Sequence, residues 1–449
     1  MGAFLIKSSP AYCNYVVNSP EDTVFIKRGF EFKITGMKRF LVVLAAFILI
    51  LPLYSGVVLR DGLFSSEEEL AVFVSEDVTE DEEEFYKDMK IYLLTGGEGS
   101  AIWENFGHSA FVIECAGNPP VAFDYGIFTF DETFIPNFIL GKLYYEVWET
   151  WALYRIADLE SADRTVSLLE LDLESSEKKA LYSFLVYNTE EENRTYLYDY
   201  FSDNCATRLR DIYSWATGGE FESWLKNQES GETIRSGVVR HLSRSTFFSS
   251  WIINYLLGSS VDRKTTRWED CYLPSALEKA VEEYQGRESS VLYETQKRKA
   301  TPDKWPFVFY SFLFGLVLLL LSLAASSMKH HGFFDFLLAL VYTLFGLMSL
   351  LLIFFSFFTI HYVTHDNLNI LIITPLCLVE GVLHFMSIGK KRRKKALGMC
   401  ALVMDGVLIA LVIVRIAFSA FLIQNIWAPA VTVFLLYTAE ALPLLIKRK

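Results

Sequence analysis

Six stretches of this chain are each long and apolar enough to cross a bilayer, and that constrains its architecture more than any other feature. A membrane-spanning helix needs about 20 predominantly apolar residues. Phe40–Leu59, Phe307–Met328, Phe333–Ile360, Leu368–Ile388, Ala396–Ala417 and Ile426–Ile446 meet that measure. Lys38 and Arg39 precede the first stretch, and "KHH" (329–331), "KKRRKK" (390–395) and "KRK" (447–449) follow the second, fourth and sixth. Basic residues are retained on the cytoplasmic side. The rule places both termini inside, the region 60–305 outside, and the loops 361–367 and 418–425 on the outer face beside that region. "MKRFLVVLAAFILILPLYSG" opens on a second methionine, Met37, with no obvious small-residue cleavage site. Residues 1–36 therefore read as a start-site artefact and 37–59 as a signal anchor or transmembrane helix that stays uncleaved.

The expected organisation continues with an acidic linker over 60–87, an exported domain over 88–285, a polar link over 286–305 and a five-helix transmembrane domain over 306–449. The formal net charge of −13 belongs mainly to the exported part, where "SEEELAVFVSEDVTEDEEEFYKD" (66–88) is concentrated. Such a run reads as a solvated linker. An acidic balance argues against nucleic-acid binding, which needs a basic face.

Within the exported part, Met89–Leu94 reads as a strand and "TGGEGS" as a turn. "HSAFVIEC" (108–115) and "VAFDYG" (121–126) form two strands joined at "AGNPP", a hairpin signal. Residues 174–190 have helical periodicity, with Leu181, Phe184 and Leu185 on one face and Ser175 or Ser176 as cap. After "DYFSDN" a helix is expected from Cys205 to about Trp215, capped by Asp203 or Asn204. Gly96, Gly97 and Gly99 lack the Lys-Ser/Thr of a phosphate-binding loop, so nucleotide binding is not indicated.

Three cysteines lie in the exported part, Cys115, Cys205 and Cys271, so at least one is unpaired. The histidines there are His108 and His241, without C-x-x-C or H-x-x-x-H spacing, so no metal site is indicated. Thiol chemistry needs the thiolate, which is favoured at a helix N-terminus and beside a histidine. Cys205 stands at such a terminus, where backbone N–H groups also offer an oxyanion site. His108 follows a glycine at the start of a strand, which leaves room for a substrate. A hairpin turn centred on Gly117–Asn118 brings Asp124 or Tyr125 across from His108 as the group that orients its ring. Asn204 either caps the helix or helps hold an oxyanion. Arg208, one turn beyond Cys205, either binds a phosphate headgroup or pairs with Asp199, Asp203 or Asp211. His361 and His365 flank an outer loop, where they line lipid access to the site or simply sit at the interface. Glu380, His384, Asp405, Arg415 and Glu440 are costly in lipid and should face the bundle interior.

The segments "YLLTGGEGSAIWENFGHSAFVIE", "FDYGIFTFD", "PNFILGKLYYEV" and "ENRTYLYDYFSDNCATRLRD" resemble the Lnb N-terminal periplasmic domain family over about residues 88–275. "HYVTHDNLNILIITPL" (361–376) is similar to that family's membrane part. The resemblance implies an α+β fold, a circularly permuted papain-like domain of the NlpC type, joined to a multi-helix transmembrane bundle. It implies Cys205 as nucleophile and His108 as its base. It implies lipoprotein N-acyltransfer at the bacterial cytoplasmic membrane with the catalytic domain on the outer face, a phospholipid donor, a diacylated lipoprotein acceptor and no cofactor. A Cys/His hydrolase acting on cell wall or lipid, and a membrane scaffold without activity, are the alternatives. Five spans beyond the anchor favour a lipid substrate over a wall substrate.

Overall fold

The computed structural model describes residues 78–101, 103–242, 247–296, 307–327, 332–388, 394–418 and 424–446. The expected first span, Phe40–Leu59, and the three basic clusters, apart from Lys394 and Lys395, lie outside these residues.

Seven antiparallel strands make one sheet in the order β6-β4-β3-β2-β1-β5-β9. These are β1 (Lys90–Gly96), β2 (His108–Glu114), β3 (Val121–Ile127), β4 (Tyr144–Trp151), β5 (Val166–Glu170), β6 (Thr195–Leu197) and β9 (Ser290–Tyr293). β7 (Glu229–Thr233) and β8 (Lys264–Thr266) form a separate pair. Side chains alternate across a strand, and the two faces bury different partners. Ile91, Leu93, Phe111, Ile113 and Phe123 pack with Leu181, Phe184 and Leu185 of α4 (Ser175–Thr189) and with Leu209 and Ile212 of α5 (Cys205–Ala216). Leu94, Ala110, Val112 and Ala122 pack under Ala152 and Leu159 of α3 (Ala152–Ser161). α1 (Glu80–Asp88) and the short α2 (Phe134–Leu140) complete this half with α6 (Phe247–Leu256) and α7 (Pro274–Gln285), besides the helices Glu220–Lys226, Ile234–Leu242 and Arg267–Asp270 and the 3-10 turn Ser259–Asp262.

Two expected linkers are shorter than the sequence implied. Residues 80–88 of the acidic run form α1, because Tyr86 buries its ring in the core and Glu82 pairs with Lys179 of α4 at 3.1 Å. Ser290–Tyr293, inside the expected polar link, pairs with β5 as the sheet's edge strand. The cap of α4 is Glu174 rather than Ser175 or Ser176, and its N–H donates to Glu177 at 2.8 Å.

The C-terminal half is helical: α8 (Phe307–Ser327), α9 (Gly332–Phe358), α10 (Leu376–Ser387), α11 (Lys394–Ala417) and α12 (Trp427–Ile446). Among the described residues, four segments are long and apolar enough to span a membrane: Phe307–Ala324, Gly332–Phe358, Asn369–Ser387 and Leu397–Ala417. Glu380, His384 and Asp405 are buried inside the bundle.

The two halves meet at the C-terminal end of α6. Helix ends leave carbonyls without intrahelical partners, and here outer-loop amides of the bundle donate to them. Asn367 Nδ2 donates to the carbonyls of Tyr255, Leu256 and Leu257 at 3.1, 2.9 and 3.1 Å. Asn369 Nδ2 donates to Tyr255 at 2.9 Å, and Gln424 Nε2 to Leu257 at 3.3 Å. Tyr255 inserts its ring into the bundle core. Gly258 donates to the Val363 carbonyl at 2.7 Å, and a Cβ at Gly258 would collide with the His365 carbonyl oxygen. Asn367→Ala removes the Leu256 carbonyl's donor, at about 1–3 kcal/mol, and the oxygen that accepts from Gln424 Nε2 at 2.7 Å. The thermal midpoint of the full chain in detergent should fall by several degrees, with new protease cleavage next to α6; an unchanged midpoint would show that the amides do not hold the junction.

Candidate active site

A tight turn fixes where the Cys205 thiol stands. Asp199 Oδ1 accepts from the N–H groups of Phe201 and Ser202 at 3.0 and 2.9 Å, and Asp199 and Asp203 exchange backbone hydrogen bonds at 3.0 and 3.2 Å. Asn204 then caps α5, with Oδ1 accepting from the N–H groups of Ala206 and Thr207 at 2.8 and 2.9 Å. Cys205 is the first residue of the helix, where the backbone partial charge favours an anion.

His108 opens β2 and reaches the thiol from the sheet. β2 and β3 pair Phe111 with Phe123 and Val112 with Ala122, and by alternation Asp124 shares the His108 side of the sheet. His108 Nε2 donates to Asp124 Oδ1 at 2.6 Å. That leaves Nδ1 on the side of the ring away from Asp124, and His108 and the backbone N–H of Ser109 are the neighbours that favour charge on the Cys205 sulfur. The other carboxylate oxygen of Asp124 forms an ion pair with Arg155 of α3. Gly126, at φ +91° in a bulge of β3, keeps the space open, since a Cβ there would lie 3.9 Å from the Cys205 Cβ. Asp124 is fully buried, whereas the His108 side chain is 19% exposed, so a substrate can reach the ring.

Burial opposes charge on all three groups, and their neighbours outweigh it. For His108 burial is overcome by the Asp124 carboxylate and the Cys205 sulfur, which lift the imidazole to about 9. For Asp124 burial is overcome by His108 and Arg155, which hold the carboxyl below its usual range. For Cys205 burial is overcome by His108 and the Ser109 N–H, which bring the thiol below its ordinary value. The other exported thiols shift the opposite way: burial raises Cys115 and pushes Cys271 up to about 12, and neither forms a disulfide. His241 is buried elsewhere, with Nδ1 against Glu98 at 2.7 Å and its ring beside Phe106.

A family model for the Lnb N-terminal periplasmic domain matches residues 83–243, and one for the Lnb transmembrane domain matches residues 298–449. The chain belongs to the Lnb family. It is a membrane protein with a periplasmic part, of α+β fold in its sheet-containing half. No curated protein and no solved structure matches it significantly.

Several residues singled out from the sequence stand elsewhere in this Lnb-family site. Tyr125 does not orient His108; it points to the opposite face, where its hydroxyl donates to Asn188 Oδ1 at 2.7 Å. Asn204 does not face an oxyanion; besides its capping oxygen, its amide nitrogen donates to the carbonyls of Tyr200 and Tyr272, both at 2.9 Å. Arg208 does not offer its fork to a headgroup. It is bidentate to Asp203 at 2.6 and 3.0 Å and lies 3.5 Å over the Tyr196 ring. His361 lies against the turn that precedes Asn204: its ring stacks on Tyr200 at 6.2 Å and donates to the Phe138 carbonyl at 2.9 Å. His365 turns back into its own loop, where Nε2 donates to the Thr359 carbonyl at 3.2 Å. Arg155 is the partner that sequence reasoning missed. Nothing local marks it, because it meets Asp124 only through the register of β3 on β4.

Alkylation of Cys205 by iodoacetamide should titrate below the ordinary thiol value of about 8.5. His108→Ala leaves only the Ser109 N–H against burial and should move that inflection to higher pH. An unchanged inflection in the variant would dissociate the ring from the thiol.

Proposed function

We propose that this Lnb-family protein is a lipoprotein N-acyltransferase of the bacterial cytoplasmic membrane, working through an acyl-thioester on Cys205. The observation that carries this reading is the His108–Asp124 hydrogen bond beside Cys205, whose thiol His108 brings below its ordinary value, in a domain whose neighbouring loops are packed against the membrane bundle. The strand-borne His, the Asp on the adjacent strand and the helix-initial Cys follow the chain order of a permuted papain-like thiol enzyme.

The donor is a membrane phospholipid. The thiolate attacks its ester carbonyl, forming the C–S bond. The Asn204 cap takes the N–H groups of Ala206 and Thr207, so the Cys205 N–H is the donor assigned to the oxyanion. As the C–O bond breaks, the leaving alkoxide takes the proton of the His108 imidazolium and departs as lysolipid. The α-amine of a diacylated lipoprotein then attacks the thioester. The N–C bond forms, the C–S bond breaks, His108 accepts the amine proton, and the thiolate is restored. Atoms balance without ATP, because the donor ester is already activated. Asp124 and Arg155 are positioning residues that keep the ring oriented and favour its charged form.

Hydrolysis is the same first half with water in place of the amine. The bundle favours transfer: a wall hydrolase needs one anchor, whereas here the outer loops cap a helix of the domain.

In a deletion strain, mass spectrometry of lipoprotein N-termini should show loss of N-acylation, restored by the wild-type chain and not by Cys205→Ala. N-acylation that persists in the deletion removes the reading. His108→Ala should slow transfer by about 10²–10⁴-fold, the range for a general acid–base group. The rate should rise with pH through the lowered thiol value and fall as His108 loses its proton near pH 9. A rate that keeps rising beyond pH 9 would exclude His108 as the acid for the leaving group.

A further inference from the structure

α2 is a short helix with an unusual surface. Its sequence is FIPNFIL, in which Asn137 is the one polar residue, and none of its residues is buried. A helix on a water-facing surface carries polar residues on its outer side. Here Ile135, Phe138 and Ile139 are 58, 42 and 39% exposed, and Phe130 just before the helix is 66% exposed. Scattered apolar residues are ordinary, but a contiguous apolar patch marks an interaction surface.

The patch continues onto the membrane bundle. The Ile360 N–H donates to the Leu140 carbonyl at 3.0 Å, and His361 donates to the Phe138 carbonyl at 2.9 Å. Phe358 and Ile360, at the outer end of the Gly332–Phe358 span, are themselves 56 and 51% exposed. The apolar face of α2 is thus laid beside the end of a lipid-facing helix. From α2 inward, ring contacts run toward the thiol. Phe134 stacks on Phe128 at 5.3 Å, Phe128 on Tyr145 at 4.8 Å, and Tyr145 lies against Tyr198 at 4.6 Å. Tyr198 borders the Gly126 gap, which also borders Cys205.

We propose that α2 and Phe130 lie in the outer leaflet of the phospholipid bilayer, and that the ring series is the wall along which an acyl chain passes from the leaflet to Cys205. An acyl chain kept against apolar rings avoids exposing its methylene groups to water. The delivery role rests on the acyl-transfer reading; immersion of α2 does not.

The test uses the full chain carrying Cys205→Ala, reconstituted in phosphatidylglycerol vesicles whose acyl chains bear a diazirine. After irradiation, peptide mapping should find lipid adducts on residues 128–141 as well as on the bundle helices. Adducts confined to the bundle overturn the immersion of α2. A second arm compares acyl-thioester formation on Cys205 from vesicle lipid with that from water-soluble p-nitrophenyl acetate. In a Phe130→Ser, Ile135→Ser double variant with unchanged thermal midpoint, the ratio of the two rates should fall at least tenfold. An unchanged ratio overturns the delivery role. If the wild type forms no thioester from either donor, the acyl-transfer reading fails while the cross-linking result stands.

Discussion

A fully buried carboxylate needs compensation, and Asp124 receives it from two sides. Removing one partner of a buried charge is costly because the other charge is left stranded. His108 and Arg155 therefore hold each other in place through Asp124. That tie joins β2, β3 and α3, and so fixes where the imidazole can stand. α5 approaches from elsewhere in the chain, its first residue set by the Asp199–Asp203 turn and the Asn204 cap. The thiol is activated because these two independently fixed pieces meet, and the other exported cysteines, Cys115 and Cys271, lack both.

The second constraint is the junction with the bundle. Amides from two outer loops donate to the terminal carbonyls of α6, while Tyr255 occupies the bundle core. Orphan carbonyls of one half thus become the recognition surface for the other. The same face carries the His361–Tyr200 stack and the contacts of α2 with residues 360 and 361. The domain is held with its thiol-bearing turn beside the loop rather than swinging on a flexible tether.

Much of this was legible in the sequence where the signal is local. Alternation marked β2 and β3, and the polar turn "FSDN" marked the start of α5 because capping is decided within four residues. Parity along β3 already separates Asp124 from Tyr125, since Asp124 shares a face with Ala122 and Tyr125 shares one with Phe123. Other features depend on distant pairing. Arg155 meets Asp124 across an excursion, residues 128–143, whose length says nothing about register. Arg208 could not be assigned between ligand and ion pair until Asp203 was seen beside it. Asn367, in the expected outer loop, and Asn369, in the first turn of the expected span Leu368–Ile388, carry no local mark of the α6 end that is brought to them. The edge strand Ser290–Tyr293 and α1 were hidden in polar composition, because partner rather than pattern decides whether such stretches pack.

Peptide mass spectrometry of the full chain, quenched in acid after incubation with phospholipid vesicles in the absence of an acceptor amine, tests the central claim directly. A hydroxylamine-sensitive acyl group is expected on Cys205, absent from Cys115 and Cys271 and much reduced in His108→Ala. An acyl group on another residue, or transfer activity that survives Cys205→Ala, would contradict it.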